Sequence, residues 1–530
     1  MGNELLAGWH EPGPVDEAGA APVGVKGVAA EVEKRRARVQ VVDRAQTVLR
    51  LVDVEQLVGE EHAVRAIWQL VGQLDLSEYY QEIKAVEGVA GREALDPRLL
   101  ISLWLYAYSD GVSSAREVAR LGAHDPAYQW LCGLQQINHH SLSDFRVGHG
   151  EKLRRLFEEV LGVLSAEGLV SLARVTQDGT KVKANASADT YRREGRVRAH
   201  LELASEQVRQ MEEAGEEQEV GKRRLAAQKR AVREKVERLE QALKELEKVR
   251  AGKKKKKEKA EARVSLTDPE ARIMKQADGG YGSNYNLQLT TDAAEKIIVG
   301  VGISQASGDQ RELVRAVEQV EESRGEKPAQ VIADAGYVTR ENIMALAGKG
   351  IELIAPGLSN KSEAARRQME EKLGIALPFR VAALGYDEVR DLYVCPAGKE
   401  LVLEKRQKDS QRPGIVMHVY RAPAAACKGC EFKEQCCPGS EKGRRVTRLE
   451  EAQEVVTFNE KMKGEAAKDI YKERGETAEF PNAWLKDKFN LRQFRVRGMV
   501  KVEMEAIWAS LTYNVQQWIR LRWRPRLAEC

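Results

Sequence analysis

Asp178, Asp334 and Glu479 are the acids of this chain whose surroundings best suit metal-assisted phosphate chemistry. Asp178 lies in QDGTKVKANAS and Asp334 in VIADAGY, and each is read as the acid that ends a buried strand. A carboxylate there is desolvated on one side and open on the other. Two of them on neighbouring strands repel and raise each other's pKa unless a cation joins them. Mg²⁺ accepts carboxylate oxygens. Two such ions about 4 Å apart activate a water or hydroxyl and stabilise the leaving oxygen of a phosphoryl transfer. That arrangement asks for a third carboxylate, and Glu479 in YKERGETAEFPNAWLK is the candidate. Tyr471, Arg474, Glu479 and Lys486 have two, four and six residues between them. The step from Glu479 to Lys486 is two helical turns, so both face one way. Pro481 suits the first turn of a helix, which puts Glu479 at a helix start, pointing at the sheet. Glu503 and Glu505 compete for the third place. They flank the apolar stripe Val500, Met504, Ile507, Leu511 and Val515, and are expected to face solvent or a neighbour.

A second chemistry lies in the cysteines. Cys427-x2-Cys430-x5-Cys436, with Cys437 adjacent and Cys395 upstream in a Pro-Ala-Gly turn, resembles a four-cysteine zinc site. Zinc needs four thiolates or imidazoles placed tetrahedrally. Cys395, Cys427, Cys430 and one of Cys436 or Cys437 meet that need, with an iron–sulfur cluster as the minor alternative. Cys132 and Cys530 stand too far away in sequence to join. His139 and His140 lack a partner cluster and are expected to pack at a helix start.

Net charge is +4, from 85 Lys and Arg against 81 Asp and Glu, so any basic surface is local. Three runs qualify: Lys253 to Lys257; Lys486, Lys488, Arg492, Arg495, Arg497 and Lys501 against Asp487; and Arg520, Arg522, Arg524 and Arg526 with Trp518 and Trp523 interleaved. Such residues at a catalytic rim neutralise phosphates and fix DNA register without reading sequence.

The elements that position these groups can be read from pattern. The chain has 530 residues, 42% apolar and 31% charged, enough for several domains with a large core. No window of about 20 apolar residues exists, so no membrane span is expected. The first residues lack the basic-then-apolar pattern of an export signal, and Leu6 stands where a myristoylation signal carries Ser or Thr. A reducing cytoplasm is the expected setting. Residues 1–45 read as a disordered lead-in and 46–170 as an all-helical, DNA-binding module. In that module Val64, Ile67, Trp68 and Val71 form a stripe, and Ser114 with Glu117 and Ser141 with Asp144 form capping boxes. Residues 171–384 and 446–530 form an α/β core with a sheet of mixed direction, flanked by helices. Into it is inserted 191–262, where Val197, Leu201, Ala204, Val208 and Met211, then Val232, Val236, Leu239, Leu243 and Leu246, make two heptad seams separated by Gly215 to Gly221. An antiparallel helical hairpin is the economical reading. Residues 385–445 form a small Cys-rich insertion of short strands.

Together DGTKVKANAS, ADAGY with Glu341-Asn342 following, and Y-x2-R-x4-E-x6-K resemble the DDE transposases of bacterial insertion sequences. INHHSLSDFR, Ile137 to Arg146, is similar to the helical module that precedes the core in one branch of that family. The resemblance spans residues 60–520, with one departure: four residues separate Arg474 from Glu479 where the commonest family spacing is three. It implies an RNase H-like core, with Asp178, Asp334 and Glu479 holding Mg²⁺ or Mn²⁺ and Tyr471, Arg474 and Lys486 as signature residues near DNA. It further implies binding of terminal inverted repeats, hydrolysis at each end to expose a 3′-hydroxyl, and joining of that hydroxyl to target DNA. Its partners would be double-stranded DNA and, in the DNA complex, a second copy of the chain, in a bacterial cytoplasm at the nucleoid. A plain metal-dependent nuclease with the same core, or a non-catalytic DNA-binding relative, are the rival readings.

Overall fold

Apolar residues at helical spacing build the N-terminal part of the computed structural model. The model describes residues 51–86, 93–213, 222–276, 278–358, 361–410, 412 and 414–529. The lead-in over 1–45 and the Gly215 to Gly221 break lie outside them. Ala63–Val71 turns Val64, Ile67, Leu70 and Val71 into the core. Pro97–Ser109 starts on Asp96, whose carboxylate accepts from the Arg98 amide at 2.8 Å, and is buried nearly all round. The two capping boxes do not form. Asn138 caps His139–Gly148 through the His140 amide at 2.9 Å, leaving Ser141 inside the first turn. Ser114 does precede Ala115–His124, but makes no side-chain cap bond, and Glu117 turns to Arg120 instead.

The strands follow in chain order: β1 (Arg174–Lys183), β2 (Tyr191–Arg192), β3 (Val264–Ser265), β4 (Arg272–Lys275), β5 (Tyr281–Asp292), β6 (Ile298–Ser304), β7 (Gln330–Ala333) and β8 (Glu352–Ile354). The main sheet runs β4-β5-β1-β7-β8, and β6 also pairs with β5. β1 is antiparallel to β5 and parallel to β7, which is parallel to β8, so the sheet is of mixed direction. Parallel pairing requires crossovers. Glu312–Arg324 and Arg340–Gly348 stand before and after β7, and bury Leu313, Val317, Val320, Ile343 and Leu346.

Two long helices, Glu194–Glu213 and Lys222–Ala251, rise from the short β2–β3 ribbon. Val197 and Ala204 of one arm are buried with Leu239, Ala242 and Leu246 of the other. Farther out, Val208, Met211 and Val232 are half-buried. Lys253 to Lys257 is exposed, and Lys256 opens a short helix.

A second sheet, β9 (Gly385–Asp387), β10 (Leu392–Val394), β11 (Glu400–Lys408), β12 (Val416–Arg421) and β13 (Arg445–Glu450), is an antiparallel array in reverse chain order. Leu384, Tyr393, Leu401, Tyr420, Ala422 and Val446 form its own core.

The C-terminal helix Met499–Trp518 joins the pieces. It is buried almost throughout, and the Asn514 amide bonds both backbone groups of Ile298 on β6, at 2.9 and 2.8 Å. Trp508 Nε1 donates to the Arg146 carbonyl at 3.2 Å. The interleaved tryptophans at the chain end are core residues. Trp518 Nε1 reaches Glu167 and Trp523 Nε1 reaches Gln69, while Arg522 and Arg526 also meet Glu167. Those arginines therefore help hold the C-terminus onto the N-terminal helices. Val500, read as the start of the core stripe, is 68% exposed, and Val502 of the same turn is buried instead.

Candidate active site

Asp178 is the fifth residue of β1 and does not end the strand. Parallel pairing with β7 stops at Gln177 and Ala333, whereas pairing with β5 continues to Lys183. Asp178 is thus the first residue of β1 beyond β7, and Asp334 is the first residue after β7. Both acids stand where the two strands part, an opening in which ligands meet side chains at strand ends.

Side chains alternate along a strand. Thr176, Asp178 and Thr180 face the helix Glu465–Ala483 and the π-helical turn Trp484–Lys488 that continues it. Thr176 and Thr477 share a hydroxyl hydrogen bond at 2.7 Å. Arg474 donates to Asp178 Oδ1 at 2.9 Å and lies 3.7 Å from Asp334 Oδ2. Asn482 Nδ2 donates to Asp178 Oδ2 at 2.7 Å. Lys486 Nζ meets the Thr180 hydroxyl. Burial raises the Asp178 pKa, the Arg474 charge pulls it down, and Asp334 pushes it up again. Burial lowers the Lys486 pKa, with Asp178 opposing.

Glu479 is placed differently from its expectation. It lies in the last turns of a long helix, not at a helix start, and is exposed without a hydrogen-bond or ion-pair partner among the described residues. Arg474, Ala478 and Asn482 step by four along the sheet-facing side. Glu479 is one residue on, about 100° around the helix. The helix begins far upstream at Glu465, so Pro481 falls in its interior. There it cannot donate to the Thr477 carbonyl, and the π-helical turn follows directly. Among the described residues no three of His, Cys, Asp or Glu gather closely enough to hold an ion.

Both rival acids are accounted for. Glu503 pairs with Arg154. Glu505 is 1% exposed, and its Oε2 accepts from the amides of Arg495 and Val496 at 2.9 and 3.2 Å. Burial raises its pKa.

The basic loop after the π-helical turn lies against the end of β1. The amide of Phe494 donates to the Lys183 carbonyl at 2.9 Å, and Asn185 Nδ2 donates to the Arg495 carbonyl at 2.7 Å. Arg497 returns a bond to the Asn185 carbonyl at 3.0 Å. Arg492 pairs with Asp487, and Lys488 Nζ lies 3.9 Å over the Trp484 ring. Tyr471, a turn before Arg474, is half-buried. His139 and His140 stack on each other at 4.2 Å in the first turn of their helix, as expected.

Residues 394–519 match the family described as Transposase DDE domain, and residues 52–147 match Transposase domain (DUF772). Both matches support a DDE transposase of insertion-sequence type. The expected fold class, an RNase H-like mixed sheet with a helical N-terminal region, stands with these matches, and the general function is transposase function. No curated protein sequence matches the chain. Among the described residues no helix is long and apolar enough to cross a membrane.

The five clustered cysteines converge in the second sheet. Cys395, Cys427, Cys430, Cys436 and Cys437 line one small cavity, but no three of these thiols gather closely enough to hold an ion. The Lys399 amide donates to Cys395 Sγ at 3.3 Å and the Arg444 amide to Cys427 Sγ at 3.4 Å. Gly398, at φ +71°, makes the turn that aims the first of these. Burial pushes the Cys436 thiol up to about 11, with Arg444 opposing.

Two polar residues at the site escaped the sequence reading. Asn482 was legible in principle, eight residues after Arg474 and therefore close to the same helix face. Asp309 lies in the loop after β6, just ahead of the helix that begins at Glu312, and carries no motif.

Proposed function

We propose that this transposase binds the terminal inverted repeats of its element, cuts DNA at each end and joins the exposed 3′-hydroxyl to target DNA. The observation that carries this reading is the Arg474 guanidinium set between Asp178 and Asp334. Two aspartates from neighbouring strands share one positive charge in a half-buried opening beside a basic loop. A hard divalent cation suits the same oxygens, because Mg²⁺ is commonly held by one or two carboxylates plus waters and substrate phosphates. Asp178 and Asp334 would hold it, with Glu479 on the adjoining helix as the third acid. Bound there, Mg²⁺ or Mn²⁺ supplies Lewis-acid activation of a water or hydroxyl and stabilises the charge on the phosphate.

The remaining residues have roles of their own. Asn482 fixes the orientation of the Asp178 carboxylate. Arg474, once released from the aspartates, has a guanidinium suited to a phosphate. Tyr471 and Lys486 flank it, and Lys488, Arg492, Arg495 and Arg497 extend the positive rim along the duplex. The N-terminal helices supply elements of a size that enters a major groove. Thiol convergence and the amide-to-sulfur bonds support a structural zinc ion in the second sheet, held by Cys395, Cys427, Cys430 and Cys436 or Cys437. A second copy of the chain would complete the DNA complex.

Asp178→Asn, Asp334→Asn and Glu479→Gln are each expected to abolish cleavage of terminal-repeat DNA while binding of that DNA persists. Near-parental cleavage by any one variant removes that residue from the site.

A further inference from the structure

On the sheet face opposite Arg474, a chain of buried amides runs beneath the two aspartates. Gln177 and Gly179 of β1 turn to this side, against Thr290 and Gln288 of β5. Thr290 donates to Gln177 Oε1 at 2.6 Å, and Gln177 Nε2 donates to Gln288 Oε1 at 2.9 Å. Tyr337 donates to the same Gln288 oxygen at 2.5 Å. Gln288 Nε2 then donates to Asp309 Oδ1 at 2.8 Å, where Asn286 Nδ2 also donates at 2.7 Å. Gln177, Gln288, Thr290, Asn286 and Tyr337 are all buried.

The direction of this chain has one source. An amide can point either way, but an ionised carboxylate only accepts. Asp309 therefore turns the Gln288 nitrogen toward itself and the Gln288 oxygen toward Gln177 and Tyr337. Gln177 is the residue before Asp178. Tyr337 closes the turn after β7, its amide bonded to the Asp334 carbonyl at 3.2 Å. Asp309 thus reaches both aspartates through one amide.

It also lies close to the glycines that neighbour them in sequence. A Cβ on Gly179 would stand 2.6 Å from Asp309 Oδ1. A Cβ on Gly336 would stand 2.9 Å from Asp334 Oδ1 and 3.9 Å from Asp309 Oδ2. Lys181 Nζ, 3.6 Å from Asp309 Oδ2, is the nearby countercharge.

We infer that Asp309 is a positioning residue for the metal-binding pair: it orients the buried amide chain that lies behind the backbone carrying Asp178 and Asp334. The inference rests on the metal reading of those two aspartates. Residues that orient ligands from behind typically change metal affinity or activity by about 10- to 100-fold when removed.

The test is Mn²⁺ binding to the full-length chain, measured by calorimetry without DNA, with thermal unfolding as the fold control. Asp309→Ala is expected to bind Mn²⁺ about 10- to 100-fold more weakly, and to need correspondingly more Mn²⁺ for cleavage. Asp309→Asn keeps an acceptor but loses the charge and gains a donor, and should fall between Ala and the parent. Should Asp309→Ala not fold, Asp309→Asn decides. A folded variant that binds Mn²⁺ within about twofold of the parent overturns the inference, whatever its melting temperature. Asp178→Asn separates the two levels. If it cleaves and binds Mn²⁺ like the parent, the metal reading falls and this inference with it. If it loses both while Asp309→Ala and Asp309→Asn keep parental Mn²⁺ affinity, only the role of Asp309 is wrong.

Discussion

The amide of Lys183 donates to the carbonyl of Arg492 at 3.1 Å, tying the basic loop to the strand that carries Asp178. Backbone bonds from Lys183 and Phe494 hold the loop alongside the Arg497 side-chain bond to Asn185, so the loop is expected to keep its place when one arginine side chain is exchanged.

Arg495→Ala and Arg497→Ala should accordingly weaken DNA binding about equally for terminal-repeat and unrelated duplexes. Each lost phosphate contact lowers the slope of log affinity against log salt by about 1. A slope identical to the parent in both variants would show that these side chains do not touch phosphate.

The cysteine cavity should hold about one zinc ion per chain, the number implied by a four-thiolate tetrahedral site. Elemental analysis of purified protein decides it, and zinc far below one equivalent with iron also absent would sink the idea. Cys427→Ser should lower both the zinc content and the melting temperature.

Replacing residues 195–258 with a short Gly/Ser linker removes a hairpin whose arms bury their own seam. The rest of the fold is expected to persist. The shortened chain should cut DNA but fail to complete joining or assembly, because arms of 20 and 30 residues extend about 30 to 45 Å at 1.5 Å per residue. Transposition at the parental rate would make the hairpin a tolerated insertion.

Glu505→Gln tests the buried carboxylate behind the basic loop. Burial raises its pKa in the folded chain. The neutral form's stabilisation is then fully present below the ordinary value of 4.5 and lost as pH rises through the raised one. Glutamine keeps an acceptor for the Arg495 and Val496 amides and does not titrate. Its stability relative to the parent should improve as pH rises from acidic to mildly alkaline. Denaturant unfolding at pH 5 and pH 8 checks this, and an equal difference at both refutes it.

The sequence by itself determined much of this protein, wherever a local pattern had one solution. The heptad seams of 191–262 could be buried economically only by each other, since both ends return to one sheet. The apolar run of VIADAGY specified the buried strand β7. The motifs around Asp178 and Asp334 placed both acids at neighbouring strands, and the family matches bear out the transposase reading. Tertiary structure decided what depends on distant partners. Pro481 looked like a helix start because a first-turn proline is cheap locally. Only the full helix from Glu465 shows it in the interior, with Glu479 turned about 100° from Ala478. Trp518, Trp523, Arg522 and Arg526 had the composition of a nucleic-acid surface, yet Glu167 and Gln69, more than 300 residues away in sequence, make them an anchor for the chain end. Asn482 and Asp309 carry no motif. They matter because β1 presents one face to the Glu465–Ala483 helix and the other to β5 and the loop after β6, a relation that no local spacing encodes.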